Sequence, residues 1–182
     1  MADFALNSGD SVRPHKSPWG AFPIRSMKLS TGISTAVVRV GQLVGLDTGS
    51  TSFTDCIIPV AQSSGSLNPG AGTVVGFAAE NSTAAGSQTA QGTVVPVWEA
   101  NPMVEFRGRT RFGLLNSTIV GTAKELHRDS TLGIDVVSLR GSSLATPANL
   151  VIVTGLIDAS GDSGGAVTFR FNTSSGFLAF FR

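Results

Sequence analysis

Cysteine is almost missing from this chain. Cys56 stands alone among 182 residues, so no intrachain disulfide can form. At the head of an apolar run it reads as a small buried hydrophobe rather than a reactive thiol. Charge is scarce too. Asp, Glu, Lys and Arg make up 14% of the chain, against about a quarter in ordinary soluble domains. The signs nearly cancel, to a formal net charge of +1, so no strong global field draws nucleic acid or a membrane surface. No apolar run approaches the ~20 residues of a membrane-spanning helix. The opening "MADFALNSGDSVRPHKSPWG" lacks the apolar centre of a secretory signal, so the sequons at Asn81, Asn116 and Asn172 read as polar turns. The two histidines, His15 and His127, form no Cys/His cluster with metal-ligand spacing. Asp47 and Asp55 flank a Ser/Thr loop and read as a turn, not a Ca²⁺ site. No Gly-rich loop ends in Lys-Ser/Thr as a phosphate cradle would. These absences leave no metal and no cofactor to expect.

What is present is glycine, 22 residues of it, and a hydrophobic fraction of 41%. A chain this apolar can build a core, and its low charge suggests a surface largely covered by something other than water. Val, Thr, Ser and Gly dominate, with few long amphipathic stretches, which predicts an all-β, sandwich- or barrel-like domain. "TAVVRVGQLVGL" reads as strand, Gly turn, strand. "CIIPVAQ" reads as a strand that Pro59 assigns to an edge or a bulge. "TVVGFAAE" and "GTVVPVWEA" read as strands around the loop 81–92, and "ANLVIVTGLI", "AVTFRF" and "GFLAFF" close the chain. The β-domain spans 31–182, with a possible division into subdomains at about 31–100 and 101–182.

Residues 1–30 differ in composition. Pro14, Pro18 and Pro23 disfavour helix and central strand, which predicts an extended N-terminal arm. Its Trp19 and Phe22 either dock on a partner or fold back on their own domain. Arg13, His15 and Lys16 add a basic contribution to the arm as a contact surface.

In "MVEFRGRTRF" the alternation places Glu105, Arg107, Arg109 and Arg111 on one strand face and Phe106, Gly108, Thr110 and Phe112 on the other. The arginine row is either a solvated strand face or a basic ridge that meets carboxylates on a partner. Beyond it, "TIVGTAKELHR" and "GIDVVSLRG" predict a hairpin about the turn Asp129 to Gly133. A short helix at 122–128 is the alternative, weakened by Val-Gly-Thr.

"SGDSGGAV" raises a catalytic question, because Gly161-Asp162-Ser163-Gly164-Gly165 spells the nucleophile loop of trypsin-like serine proteases. The context argues against that reading. His15 precedes every strand. His127 precedes Asp129 and Asp135 in the required order, but too few positions separate it from Ser163 to hold most of a second barrel. Too few residues follow Ser163 to shape a specificity pocket. Asp, Ser and Gly are also what a hairpin loop requires. The expectation is a structural loop and no catalytic residue.

Beyond single motifs, the chain runs from the Pro/aromatic segment through "AVVRVGQLVGLD" and "GTVVGFAAENSTAAGSQTAQGTVVPVWEANPMVEFRGR". It continues with "VGTAKELHRDSTLGIDVV" and closes with "NLVIVTGLIDASGDSGGAVTFRF". In this order, over roughly residues 30 to 172, it resembles the head decoration, or cement, proteins of tailed bacteriophages. The resemblance implies a non-enzymatic virion protein on the outer capsid surface, made in the host cytoplasm. Its implied partners are the major capsid protein and further copies of itself as a homotrimer, with no direct nucleic-acid or membrane contact. It carries over no catalytic residues. A tail or baseplate β-protein and a carbohydrate-binding surface module are the alternatives, with a protease last.

Overall fold

The computed structural model describes residues 10–30, 38–48, 56–63, 66–70, 72–82, 94–140 and 149–179. They are all-β, with two single 3₁₀ turns at Ser117–Ile119 and Thr173–Ser175. Fourteen strands run in chain order as β1 (Arg13–Lys16), β2 (Ile24–Leu29), β3 (Leu43–Leu46), β4 (Cys56–Pro59), β5 (Gln62–Ser63), β6 (Ser66–Leu67) and β7 (Val74–Ala78). They continue as β8 (Val94–Glu99), β9 (Glu105–Arg111), β10 (Ala123–Lys124), β11 (Leu126–Arg128), β12 (Asp135–Ser138), β13 (Val151–Leu156) and β14 (Ala166–Phe171).

Two sheets share the chain. A closed barrel runs β2-β4-β3-β7-β8, and a nine-stranded sheet runs β10-β13-β14-β9-β12-β11-β6-β5 with β1 attached to β9. The barrel holds its own core of Met27, Leu29, Val38, Val44, Ile57, Val75, Ala78, Val95 and Val97. A second, larger core lies between barrel and sheet, because it takes Leu43, Val74 and Phe77 from the barrel and Phe106, Phe169 and Phe171 from the sheet. Strand β7 therefore faces apolar surroundings on both sides, and all five of its residues are buried. Its pairing with β3 slips by one residue at Val75. This bulge puts Val74 and Phe77 on the sheet side and Val75 and Ala78 in the barrel. Gly76 is required there, since a Cβ would come within 1.9 Å of the Trp98 carbonyl oxygen.

The sheet-side core is organised by phenylalanines. Phe77 lies 5.1 Å from Phe106 and 5.2 Å from Phe171, ring centre to ring centre, and Phe106 meets Phe171 edge-on at 5.6 Å. Such pairs add about 0.5–1.5 kcal/mol each beyond the area they bury.

Several sequence expectations need correction. Residues 10–30 are extended, as their prolines imply, but they do not form an arm apart from the β-domain. Strand β1 pairs antiparallel with β9, and β2 closes the barrel between β8 and β4. Val12 is fully buried, and Met27 and Leu29 belong to the barrel core. Residues 1–9 of the expected arm lie outside the described residues. Strand β4 is not an edge either, since it has β2 and β3 as neighbours. Pro59 is tolerated because β2 pairs only with Cys56 and Ile57. Cys56 is buried as expected. The possible helix at 122–128 is instead β10 and β11. Ahead of β3, Val38 to Val40 is not strand, and the rest of that expected strand falls outside the described residues. The hairpin about Asp129 to Gly133 forms as β11 and β12.

Candidate partner-binding surface

Strand β9 is the hub of the larger sheet. It pairs with β1 and β14 along its first half and with β12 at its end. Its alternation puts Phe106, Gly108 and Thr110 inward and Glu105, Arg107, Arg109 and Arg111 outward. Directly opposite residues on neighbouring strands share a face, so the pairings extend the outward row sideways. Arg13 lies opposite Arg107, and Lys16 opposite Glu105. The ladder slips between Pro14 and Lys16, leaving exposed His15 as the extra residue. On the other side Thr168 lies opposite Arg107. Two residues further along β14, Arg170 occupies the same face, opposite Ile152 of β13.

The arginine row is thus not one ridge but three different environments. Arg109 is held between two carboxylates, with Nε 2.9 Å from Asp10 and Nη1 2.7 Å from Asp158. Arg111 is ion-paired with Asp129. Arg107 is exposed and has no carboxylate partner among the described residues; the same is true of Arg13, Lys16 and Arg170. These four cations, with Glu105 among them, form the unneutralised part of the face. A surface cleft of about 210 Å³ lies beside them, lined by Asp10, Ser11, Arg107, Arg109, Ile157 and Asp158. Arg170 was legible in "AVTFRF", where it alternates with two core phenylalanines, but only the β14–β9 register places it on the face of Arg107, one position past the Phe169–Phe106 pair and diagonal to Arg107.

The two aromatics, expected either to dock on a partner or to fold back on their own domain, differ in placement. Phe22 is half-buried and packs against the core between barrel and sheet, so it is not free to dock elsewhere. Trp19 is 60% exposed, in the turn closed by Gly20 N–H donating to the Ser17 carbonyl at 3.3 Å.

The Asp158–Gly165 loop joins β13 to β14, as the flanking strands predicted. Its backbone is clamped onto the end of β9 and the segment after it. Thr110 donates to the Gly165 carbonyl through both N–H and Oγ1 at 2.9 Å. Leu115 donates to the Asp162 carbonyl at 2.9 Å and accepts from Gly161 N–H at 2.7 Å. Gly161 and Gly164 adopt positive φ, 101° and 71°, and a Cβ on Gly165 would lie 2.4 Å from Leu115 Cδ1. The glycines of the protease-like string thus have backbone reasons of their own. Ser163 forms a bridge with Leu114, and no hydrogen bond joins it to His127. His127 sits instead edge-on to Phe112 at 4.6 Å. Burial, then the positive charges of Arg111 and Arg140, push its pKa below the ordinary histidine value.

Asp129 organises the β11–β12 turn, its Oδ1 accepting from the N–H groups of Thr131 (2.9 Å) and Leu132 (2.8 Å). Burial alone would raise its carboxyl. Those two donors and the Arg111 guanidinium outweigh it and hold the pKa below the ordinary value. Asp135 is fully buried, and burial pushes its carboxyl up against the pull of Arg128 and of Leu43 N–H.

No family model matches this chain, and neither a curated protein nor a solved structure matches it. Among the described residues there is no group of three or more His, Cys, Asp or Glu that could hold a metal ion. Among the described residues no helix is long and apolar enough to cross a membrane.

Proposed function

We propose that the chain is a non-enzymatic structural protein of a virion, a decoration protein that binds the outer surface of the capsid lattice and stabilises the head. The observation that carries this reading is the outward face of β1, β9 and β14, where Arg13, Lys16, Arg107 and Arg170 stand exposed without carboxylate partners among the described residues. Four cations on a rigid sheet suit a broad, carboxylate-bearing protein surface. The sheet holds them in register, so little order has to be imposed when a partner arrives. The tight core behind the face, built from four phenylalanines, suits a load-bearing module. The resemblance in element order points the same way and adds the major capsid protein and further copies of the chain, as a trimer, as the partners to look for. A carbohydrate-binding module is less well supported, because Trp19 lies in a turn and Trp98 is half-buried in β8. They do not form one exposed aromatic platform.

Imaging of intact particles from the source of the chain tests the reading. It predicts density for the chain at regular positions on the outer head surface, in copy number set by the lattice. A location confined to the tail, or absence from purified particles, would overturn it.

A further inference from the structure

Strand pairing brings two chain-distant connections to one end of the molecule. Because β1 pairs with β9 and β2 with β8, the segment 17–23 between β1 and β2 runs beside the segment 100–104 between β8 and β9. Three contacts fix this neighbourhood. Lys16 lies opposite Glu105, Ile24 lies opposite Trp98, and Glu99 N–H donates to the Pro23 carbonyl at 3.0 Å. Trp19 and Met103 on these connections and Ile24, the first residue of β2, are large, apolar and turned outward. Trp19 is 60% exposed, Met103 60% and Ile24 55%. They are three of the most solvent-exposed large hydrophobics among the described residues, and strand pairing lays the connections that carry or adjoin them side by side although 84 positions of sequence separate Trp19 from Met103.

We infer that Trp19, Ile24 and Met103 form a single apolar anchor that seats in a carboxylate-rimmed apolar socket on a protein partner, with Lys16, Arg13 and Arg107 meeting the rim. The inference rests on the capsid reading and names the contact through which it works. The occupant follows from charge and shape together. The anchor adjoins the face on which exposed Lys16, Arg13 and Arg107 outnumber Glu105, so a carboxylate-bearing surface complements what surrounds it. Trp, Met and Arg are the residue types that concentrate in the centre of protein interfaces, where a buried aromatic or arginine carries most of the binding energy. A single-stranded nucleic acid would be served by several stacking aromatics along a basic groove. Here one aromatic is joined by two aliphatic side chains that have no face for a base.

The test uses the full-length chain and heads from particles whose own copy of its gene has been deleted. Trp19→Ala, Met103→Ala and the double variant are first shown to keep the wild-type thermal transition, which an exposed anchor permits. In co-sedimentation, Trp19→Ala should bind heads about tenfold more weakly or worse, as a central aromatic does, and the double variant more weakly still. Lys16→Glu should lower affinity most at low salt, and less as screening grows. A folded double variant that binds as tightly as wild type overturns the anchor while leaving the capsid reading intact. Binding abolished by nuclease treatment of the heads assigns the surface to nucleic acid and overturns the anchor as drawn. Wild-type chain that fails to bind heads at all overturns the capsid reading, and the anchor with it.

Discussion

Arg128 grips Asp135 through two parallel contacts, Nε to Oδ1 at 2.8 Å and Nη2 to Oδ2 at 3.1 Å. The pair reaches out of its own hairpin. Asp135 Oδ2 accepts Leu43 N–H at 2.5 Å, and Arg128 Nη1 donates to the Val60 carbonyl at 2.9 Å. One buried ion pair thereby holds the β11–β12 hairpin against the barrel.

Removing one partner of this pair should be among the costliest changes in the molecule. Arg128→Met leaves a fully buried carboxylate unpaired, a loss of roughly 3–5 kcal/mol. Replacing both, as Arg128→Met with Asp135→Leu, should recover part of it, although Leu43 N–H then loses its acceptor. Denaturant unfolding of the two single variants and the double variant measures the coupling. A loss below about 1 kcal/mol for Arg128→Met would show that the clamp is incidental.

The loop that spells a protease motif should respond to mutation as a structural loop. Gly165→Val drives a side chain into buried Leu115 and should cost about 1–3 kcal/mol. Ser163 is half-buried and makes no side-chain hydrogen bond among the described residues, so Ser163→Ala should change stability by less than about 0.5 kcal/mol. Head binding by Ser163→Ala should match wild type, and purified protein should not react with a fluorophosphonate. Labelling at Ser163 that disappears in His127→Gln would sink the non-enzymatic reading.

Stability should fall as the pH drops below neutrality, and His127 should be one cause. Its folded pKa lies below the unfolded value near 6.5, because burial and then Arg111 and Arg140 oppose the imidazolium. Protons therefore bind the unfolded chain first. The penalty begins as pH falls through about 6.5 and levels off once pH is below the folded pKa. Asp129 is shifted in the same direction: its lowered pKa contributes stability above the ordinary carboxylate range, lost as pH falls through the folded value. Urea midpoints between pH 5 and 7.5 should slope more steeply for wild type than for His127→Gln; parallel slopes would remove His127 from the account.

A truncation that begins at Ser30 should not yield a folded domain. It deletes β1 and also β2, which supplies Met27 and Leu29 to the barrel core and closes the barrel between β8 and β4. A chain beginning at Asp10 retains both strands and should unfold cooperatively. Circular dichroism and a thermal melt of the two truncations decide the point, and a cooperative transition for the shorter one would restore an independent arm.

Charge reversal should separate the arginines of β9. Arg107→Glu should leave the thermal transition unchanged and weaken head binding modestly, since an exposed pair is worth about 0–1 kcal/mol. Arg109→Glu sets a third carboxylate between Asp10 and Asp158 and should lower the melting temperature itself. Equal melting temperatures for the two variants would show that the Asp10 and Asp158 contacts contribute nothing to the fold.

The sequence by itself determined the class of the fold and much of its local form. Short runs rich in Val and Thr between Gly, Asn and Asp turns have few alternatives to β-structure. The alternation from Glu105 to Arg111, the Asp129 to Gly133 turn and the loop between β13 and β14 were legible because neighbours along the chain settle them. What only the tertiary structure decided depends on partners far away in sequence. Proline and polar residues made residues 10–30 look like a free arm, yet backbone pairing needs only an extended chain and a vacant strand edge, which β9 and β8 supply. Phe22 and Trp19 are alike in composition and three residues apart, but one meets the core and the other does not. Arg107, Arg109 and Arg111 share a face, and alternation shows that much. Whether each charge is neutralised depends on Asp10, Asp158 and Asp129, which register and packing bring to it. The anchor of Trp19, Ile24 and Met103 is the extreme case, because it exists only where two pairs of strands align their connections side by side.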